Sequence, residues 1–224
     1  TSSQFSLLGL SKIDSSAKAS LLNDVIDGLA PAQVDSELEL LSLASTVSSI
    51  FVTAADGTPV PELTAADLST LGLAGVTADN LSGVLAAIAA TANNGSGVDT
   101  LAELSAVVDA AVASYTAAMA VISGYTGTNT APTLSTYTDA GVTGVSATVL
   151  PALNSFIAEL SSTATDTAAE VQVVLAAVSK VVQAADGSLN AGAATITAAE
   201  YATLGIPSIN TSAEVELLGS IIDA

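Results

Sequence analysis

The side chains that could do chemistry in this chain are almost all carboxylates. The 224 residues include 22 acids and three bases, with no histidine and no cysteine. Without those two residue types there is no Ser-His or Cys-His nucleophile pair and none of the usual zinc ligands. Carboxylate pairs for general acid–base work could be formed by Asp35 with Glu39, or by Glu214 with Asp223. Their spacing is equally that of helix caps, so the sequence predicts no catalytic residue and no enzyme.

Aspartates in turn-forming stretches are the candidates for a metal. Asp56 and Asp186 each precede a glycine, and Asp99 ends the Gly-rich stretch 93–99. Carboxylate oxygens suit calcium, but none of these stretches has the alternating acids and closing Glu of a dedicated calcium loop. Turn formation and helix capping account for the same residues. We therefore expect no cofactor and keep calcium at these three aspartates as the lesser alternative.

The charge and the hydrophobic content exclude several partners. The formal net charge is −19, and phosphate binding needs clustered Lys or Arg, so nucleic acid is excluded. An anionic membrane surface would repel the chain. The apolar stretch 104–122 contains Asp109 and many Ala and Ser residues, so it predicts a soluble helix and no membrane insertion. Aromatic residues make up only 3% of the chain, which predicts a core of small aliphatic side chains.

One short motif, present four times, predicts the elements that position these side chains. Each copy starts at a Thr, and a Gly follows eight residues later; the starts lie 63 to 69 residues apart, as the positions below show. Thr is a good N-cap and Gly suits the left-handed position that ends a helix, so each copy predicts a short helix. The pairs are Thr1 with Gly9, Thr64 with Gly72, Thr133 with Gly141, and Thr197 with Gly205.

Two further helices are predicted after each short helix. The second begins its aliphatic stripe at equivalent positions in the four copies, namely Leu21, Val84, Leu153 and Leu217. The third is predicted from an Asp at the N-cap with a Glu four residues later, at Asp35, Asp99 and Asp166. The fourth copy stops after its second helix.

The predicted fold is therefore all-α, with small three-helix bundles in tandem forming an elongated array. The predicted repeats are repeat 1 (1–63), repeat 2 (64–132), repeat 3 (133–196) and the partial repeat 4 (197–224). These four names are used below for the sequence ranges.

Aromatic residues are expected to fill the core. One position of the motif carries Phe5, Leu68, Tyr137 and Tyr201, and a position that accepts Leu favours packing, with any hydroxyl at the rim. Tyr115 and Tyr125 have no aromatic counterparts in the other repeats. We expect them to pack as well, and a ligand-facing position is the alternative.

The motif resembles the Ala-, Thr- and Asp-rich helical repeats of giant bacterial adhesins and of secreted biofilm-matrix and surface proteins. In those repeats T-A-A-D-Y-x-x-L-G-V-x-G-V-T precedes V-D-T-x-A-E-I-Q. The matching stretches are 64–77 with 98–104, and 133–146 with 166–172. The resemblance covers essentially the whole chain. It implies an extracellular spacer at the bacterial cell surface, covalently continuous with further repeats, and it implies no ligand and no catalytic residue.

Two alternative functions remain open. In the first, the chain is the protomer of a self-assembling extracellular filament completed by repeat 4. The second is a helical binding module for a host protein or glycan, which would need exposed apolar residues beyond the core stripes. The candidate assembly segment of the first alternative consists of Thr197, Tyr201, Leu217, Leu218 and Ile221.

Overall fold

The structure is a computed structural model that describes residues 1–92, 94–185 and 196–222. Within these ranges every regular element is a helix, which confirms the predicted all-α class. The eleven α-helices of the described ranges are α1 (Ser2–Leu7), α2 (Ser16–Gly28), α3 (Glu37–Ala54), α4 (Ala65–Thr70), α5 (Leu81–Ala89), α6 (Leu101–Ser123), α7 (Leu134–Asp139), α8 (Leu150–Glu159), α9 (Ala168–Ala184), α10 (Ala198–Thr203) and α11 (Ser212–Ile222).

Helix length follows a fixed order along the chain. A helix of 6 residues is followed by one of 9 to 13 residues and then by one of 17 to 23 residues. This order occurs three times, and the first two members occur again as α10 and α11. We call the three classes the short, second and long helices.

The short helices are closed at both ends by local hydrogen bonds. In α4 the Thr64 hydroxyl accepts from the Asp67 amide at 3.2 Å, and the Asp67 carboxylate accepts from the Thr64 amide at 2.9 Å. Such a capping box satisfies amides that have no partner inside the helix. Thr133 and Thr197 begin their helices in the same way, while Thr1 donates through its hydroxyl to Gln4 Oε1 at 3.1 Å.

The glycines of the motif end the short helices with a left-handed residue. Their φ angles lie between +75° and +85°, a region that side chains with a Cβ rarely adopt. The next amide then donates back across the turn, as Ile206 does to the Tyr201 carbonyl at 2.8 Å. The four glycines are Gly9, Gly72, Gly141 and Gly205.

The predicted N-caps of the long helices are wrong by one residue. Ser36, not Asp35, caps α3, and Thr167, not Asp166, caps α9. At the start of α6 the Glu103 amide donates to the Thr100 hydroxyl at 3.2 Å, so Thr100 takes the place expected for Asp99. Asp, Ser and Thr are all good N-caps, and the Glu at the third helical position selects the hydroxyl because the two side chains bond reciprocally.

The chain divides into two compact units, 1–114 and 115–224, and the boundary falls inside α6. The first unit is organised around α3. This helix contacts α2, which precedes it in the sequence, and α4 and α5, which follow it. Val47 and Ile50 of α3 are completely buried in this core.

The second unit is organised around α9 in the same manner. This helix contacts α8, which precedes it, and α10 and α11, which follow it. The aliphatic stripe of α9 supplies the core, with Val171, Val174, Leu175 and Val178 all buried. Tyr115 and Tyr125 lie partly buried against this core.

Two helices of the described ranges are long and apolar enough to cross a membrane by length and composition. They are α3, which contributes to a buried core, and α6, which includes the stretch 104–122. The core helix of a soluble protein passes the same test, so this finding is weak evidence for a membrane span. The expectation of a soluble helix at 104–122 stays a prediction.

Candidate functional site

One carboxylate of each pair singled out for acid–base chemistry, Glu39 or Glu214, takes part in capping a helix. Glu39 Oε2 accepts from the Ser36 hydroxyl at 2.7 Å and from the Ser36 amide at 3.0 Å, and these bonds lower the pKa of Glu39. Glu214 accepts from the Thr211 hydroxyl at 2.8 Å, and this bond lowers its pKa in the same way. A carboxylate with a lowered pKa is a weaker base. Asp223, the suggested partner of Glu214, lies outside the described residues.

The two described aspartates among the three proposed as calcium ligands, Asp56 and Asp99, lie in separate turn segments. Asp56 follows α3 and has a positive φ of 55°. Asp99 precedes α6, and a hydrogen bond with Glu103 raises the pKa of Asp99. Asp186 lies outside the described residues. No cluster of three or more acids suited to a metal occurs within the described ranges, and calcium binding stays a prediction.

The Gly-rich stretch before Asp99 has a packing role. Gly95 is buried with φ +78°, and a Cβ built on it would lie 2.3 Å and 2.5 Å from two ring carbons of Phe51. A side chain at this position would therefore collide with the ring. Close approach of backbone and ring explains a glycine here without any ligand.

Gly95→Ala should destabilise the chain more than Gly72→Ala. Both glycines have positive φ, but a Cβ on Gly72 would meet no atom within 4 Å. Overpacking against the Phe51 ring should lower the free energy of unfolding of Gly95→Ala by about 1–3 kcal/mol more than that of Gly72→Ala. Urea denaturation followed by circular dichroism measures the difference between the two variants. Equal midpoints would show that the Phe51 ring moves aside freely.

An ion pair joins α9 to α10. Lys180 donates to Glu200, whose other carboxylate oxygen accepts from the Thr197 amide. The Lys180 hydrogen bond is the largest cause that lowers the pKa of Glu200 below its ordinary 4.5. The pair thus ties a long helix to the short helix of the next repeat.

Glu200→Gln should remove this tie with a characteristic pH dependence. Because the folded pKa is lowered, the wild-type contribution is fully present above pH 4.5 and is lost as the pH falls through the folded pKa. At pH 7 we expect the free energy of unfolding to fall by less than about 1 kcal/mol, since the ion pair is partly exposed. Melting temperatures from pH 7 to pH 3 should converge for wild type and variant. Glu214→Gln, which makes the same change at the capping position of α11, where no ion pair is found within the described residues, is the control.

The second helices share an apolar face whose burial differs between repeats. Its first position is Leu21, Val84, Leu153 or Leu217, and its second position, four residues later, is Val25, Ile88, Ile157 or Ile221. In α2, α5 and α8 both positions are at most 1% exposed. In α11 they are 62% and 61% exposed. The α11 face is therefore the one instance of this face, among the described helices, that is open.

Only part of the candidate assembly segment is available to another molecule. Leu217 and Ile221 are exposed, but Tyr201 is 1% exposed and Leu218 is half-buried. Thr197 is occupied as the cap of α10. Tyr201 and Thr197 both serve the local fold, and their role in assembly stays a prediction.

A cleft in repeat 1 was missed by sequence reasoning. It has a volume of about 370 Å³ and lies between the turn after α1 and the first half of α3. Lys12, Leu38 and Leu41 line it. A position-by-position comparison of the repeats could have found these residues, because their counterparts differ in type.

Comparison with known proteins does not identify the chain: no family model, curated protein or solved structure matches it. The features of the chain that bear on function are the helical repeat and two exposed surfaces, the α11 face and the repeat 1 cleft.

Proposed function

We propose that this chain is a structural spacer of tandem three-helix repeats, a segment of a long extracellular surface or matrix protein of a bacterium. The observation that carries this proposal is the position of the long helices. Both α3 and α9 contact the second helix before them and the short and second helices after them. Each of these long helices therefore serves two successive repeats, as expected for an array whose repeats are stabilised by their neighbours.

The roles of the motif residues support a structural function. The Thr and Gly residues of the motif cap and end helices, and the aliphatic residues fill cores. The exposed carboxylates give a large negative charge, which keeps an Ala-rich array soluble. The extracellular location is proposed from the resemblance of the motif to adhesin and matrix repeats. Surface labelling of intact cells with an antibody to the chain would test it.

Deleting one full repeat tests the array directly. Removal of 64–132 places α7 and α8 after α3, where α4 and α5 were, so helicity per residue and cooperative unfolding should be retained. Removal of 64–100 instead places α6 directly after α3 and leaves the face of α3 that contacts α4 and α5 uncovered. Each core side chain uncovered costs roughly 1.5–3 kcal/mol, which corresponds to a fall in Tm of several degrees.

Thermal melting by circular dichroism compares the two deletions. The proposal predicts that the longer deletion is the milder one. If the deletion of 64–132 melts at or below the temperature of the deletion of 64–100, the repeats are not interchangeable units and the proposal is wrong.

A further inference from the structure

Three Asn-x-Ser sequences occur in the chain, and the fold presents them differently. They begin at Asn80, Asn94 and Asn210. Asn-x-Ser is an acceptor sequence for N-linked sugars, which lie on the surface of a folded protein. The asparagine must reach solvent, and its side-chain nitrogen must be free to form the bond to the sugar. Exposure and hydrogen bonding therefore decide which of the three acceptor sequences can carry a sugar.

The acceptor sequence at Asn80 is closed by the fold, since Asn80 is only 4% exposed. Its Oδ1 accepts from the Thr77 amide at 2.9 Å, and its Nδ2 donates to the Gly75 carbonyl at 2.9 Å. Both halves of the side-chain amide thus hold the turn before α5. Breaking these bonds would leave buried polar groups unsatisfied, so a sugar on Asn80 is incompatible with the fold.

The acceptor sequence at Asn94 lies in an exposed turn with a buried centre. Asn94 and Ser96 are exposed, whereas Gly95 between them is buried. The Gly95 backbone approaches the Phe51 ring so closely that a Cβ would stand 2.3 Å from a ring carbon. This contact anchors the middle of the turn. The two residues that an acceptor sequence requires are held on either side of the anchor, in contact with solvent.

Asn94 makes a hydrogen bond that leaves its nitrogen free. Its Oδ1 accepts from the Ser96 amide at 3.0 Å, which forms an Asx-turn. The carboxamide oxygen is therefore held against the backbone, and Nδ2 donates to no atom of the described residues. The Ser96 hydroxyl also has no hydrogen-bond partner in the described ranges. The acceptor nitrogen and the required hydroxyl are thus available together.

The acceptor sequence at Asn210 is exposed, but it forms the start of a helix. Ser212 is the first residue of α11, and the Asn210 amide donates to Glu214 at 3.1 Å. Thr211 between them accepts from the Glu214 amide through its hydroxyl at 3.3 Å. The backbone from Asn210 to Ser212 is therefore fixed in a capping arrangement and does not form an exposed turn.

We propose that Asn94 is a site of N-linked glycosylation, and that Asn80 and Asn210 are not. The sugar donor is a nucleotide-activated hexose. Asn94 Nδ2 forms a bond to the anomeric carbon, and one Nδ2 proton passes to a base of the transferase. The bond from the anomeric carbon to the diphosphate breaks, and its electron pair leaves with the nucleoside diphosphate. The modification goes beyond the spacer role, which requires no covalently attached group.

The Asn94–Gly95 dipeptide has a competing reaction, deamidation. In Asn-Gly sequences the glycine nitrogen can attack the asparagine side chain and expel ammonia. The Gly95 amide instead donates to the Ala92 carbonyl at 2.8 Å, and the Gly95 backbone is packed against Phe51. Asn94 should therefore keep its amide in the folded chain and remain an acceptor.

Mass spectrometry of the chain isolated from the cells that produce it tests the proposal. Cleavage after glutamate releases residues 63–103, which contain Asn80 and Asn94, and residues 201–214, which contain Asn210. The peptide 63–103 should carry one hexose, and electron-transfer fragmentation should locate it on Asn94. The peptide 201–214 should carry no sugar.

Two substitutions at Ser96 and one matched control test the acceptor sequence. Ser96→Ala removes the required hydroxyl and leaves Asn94 exposed, so the sugar should be lost. Ser96→Thr keeps a hydroxyl and should keep the sugar. Ser82→Ala makes the same change in the acceptor sequence of Asn80 and should leave the sugar unchanged. Both serines are exposed, so melting temperatures of the variants should stay close to that of the wild type.

An assay with a purified N-glycosyltransferase and UDP-glucose tests whether the fold makes the selection. The folded chain should be modified at Asn94 alone. The isolated peptide 63–103 has no tertiary structure to protect Asn80, so it should be modified at both asparagines. A peptide modified at Asn94 alone would show that the local sequence, and not the fold, excludes Asn80.

Three further outcomes would overturn the glycosylation proposal. They are an Asn94 without sugar in the chain isolated from its cells, a sugar on Asn80 or equal occupancy of Asn210 in the folded chain, and a Ser96→Ala variant that keeps the sugar. None of these outcomes bears on the deletion experiment, so the spacer proposal and the glycosylation proposal fail separately.

Discussion

Leu153→Ala should lower the free energy of unfolding by about 2–5 kcal/mol, whereas Leu217→Ala should change it by no more than about 0.5 kcal/mol. The two leucines occupy the same position of the repeat. Leu153 is completely buried in α8, and its truncation leaves a cavity in the core of the second unit. Leu217 is 62% exposed in α11, so its truncation removes little buried surface.

Urea denaturation measures this difference. Ile157→Ala and Ile221→Ala provide an independent pair one helical turn later, and the same contrast is expected from their 1% and 61% exposure. Equal losses for Leu153→Ala and Leu217→Ala would mean that the face of α11 is covered in solution.

Tyr137→Ala should lower the free energy of unfolding by about 3–5 kcal/mol, the range found when buried aromatic side chains are replaced by alanine. The ring is completely buried, and its hydroxyl donates to Asn154 Oδ1 at 2.7 Å. Asn154 in turn donates to the Pro132 carbonyl at 2.9 Å, which fixes the segment before α7 to α8. Burial raises the pKa of Tyr137, so the hydroxyl stays a donor across the neutral range.

The phenylalanine variants separate the hydroxyl from the ring. Tyr137→Phe leaves Asn154 Oδ1 without this donor and should lower the free energy of unfolding by roughly 1–3 kcal/mol. Tyr201→Phe should be neutral or stabilising, because the buried Tyr201 hydroxyl has no hydrogen-bond partner within the described residues. Thermal melts of the two variants compare them directly. A loss at Tyr201→Phe as large as that at Tyr137→Phe would reveal a partner for the Tyr201 hydroxyl.

These tyrosines show where sequence reasoning stops. Both occupy the motif position that also accepts Phe5 and Leu68, and all four side chains are buried, as packing requires. The hydroxyls were expected at the rim, but both Tyr137 and Tyr201 are buried to their ends. Whether a buried hydroxyl finds a partner depends on the residue that the next helix brings to it, and the motif does not contain that residue.

Local chemistry was determined by the sequence because its causes lie within a few residues. Thr64 and Asp67 cap α4 by bonds across three residues, and Gly72 ends it through its own φ preference. The helix order follows from such signals and from helical spacing of aliphatic residues. The caps of the long helices were misplaced by one residue because Asp35 and Ser36 are both good N-caps, and only the reciprocal bond with Glu39 separates them.

Tertiary structure alone decided which apolar residues are free. Leu21, Val84, Leu153 and Leu217 are equivalent in the sequence, yet the first three are buried and Leu217 is not. The sequence pattern also did not show that α3 packs against α2 as well as against α4 and α5. Burial of a helix face depends on which distant segment of the chain packs against it. The repeated sequence pattern shows only that the face is apolar. The exposure of the α11 face and the presence of the repeat 1 cleft are therefore properties of the folded chain alone.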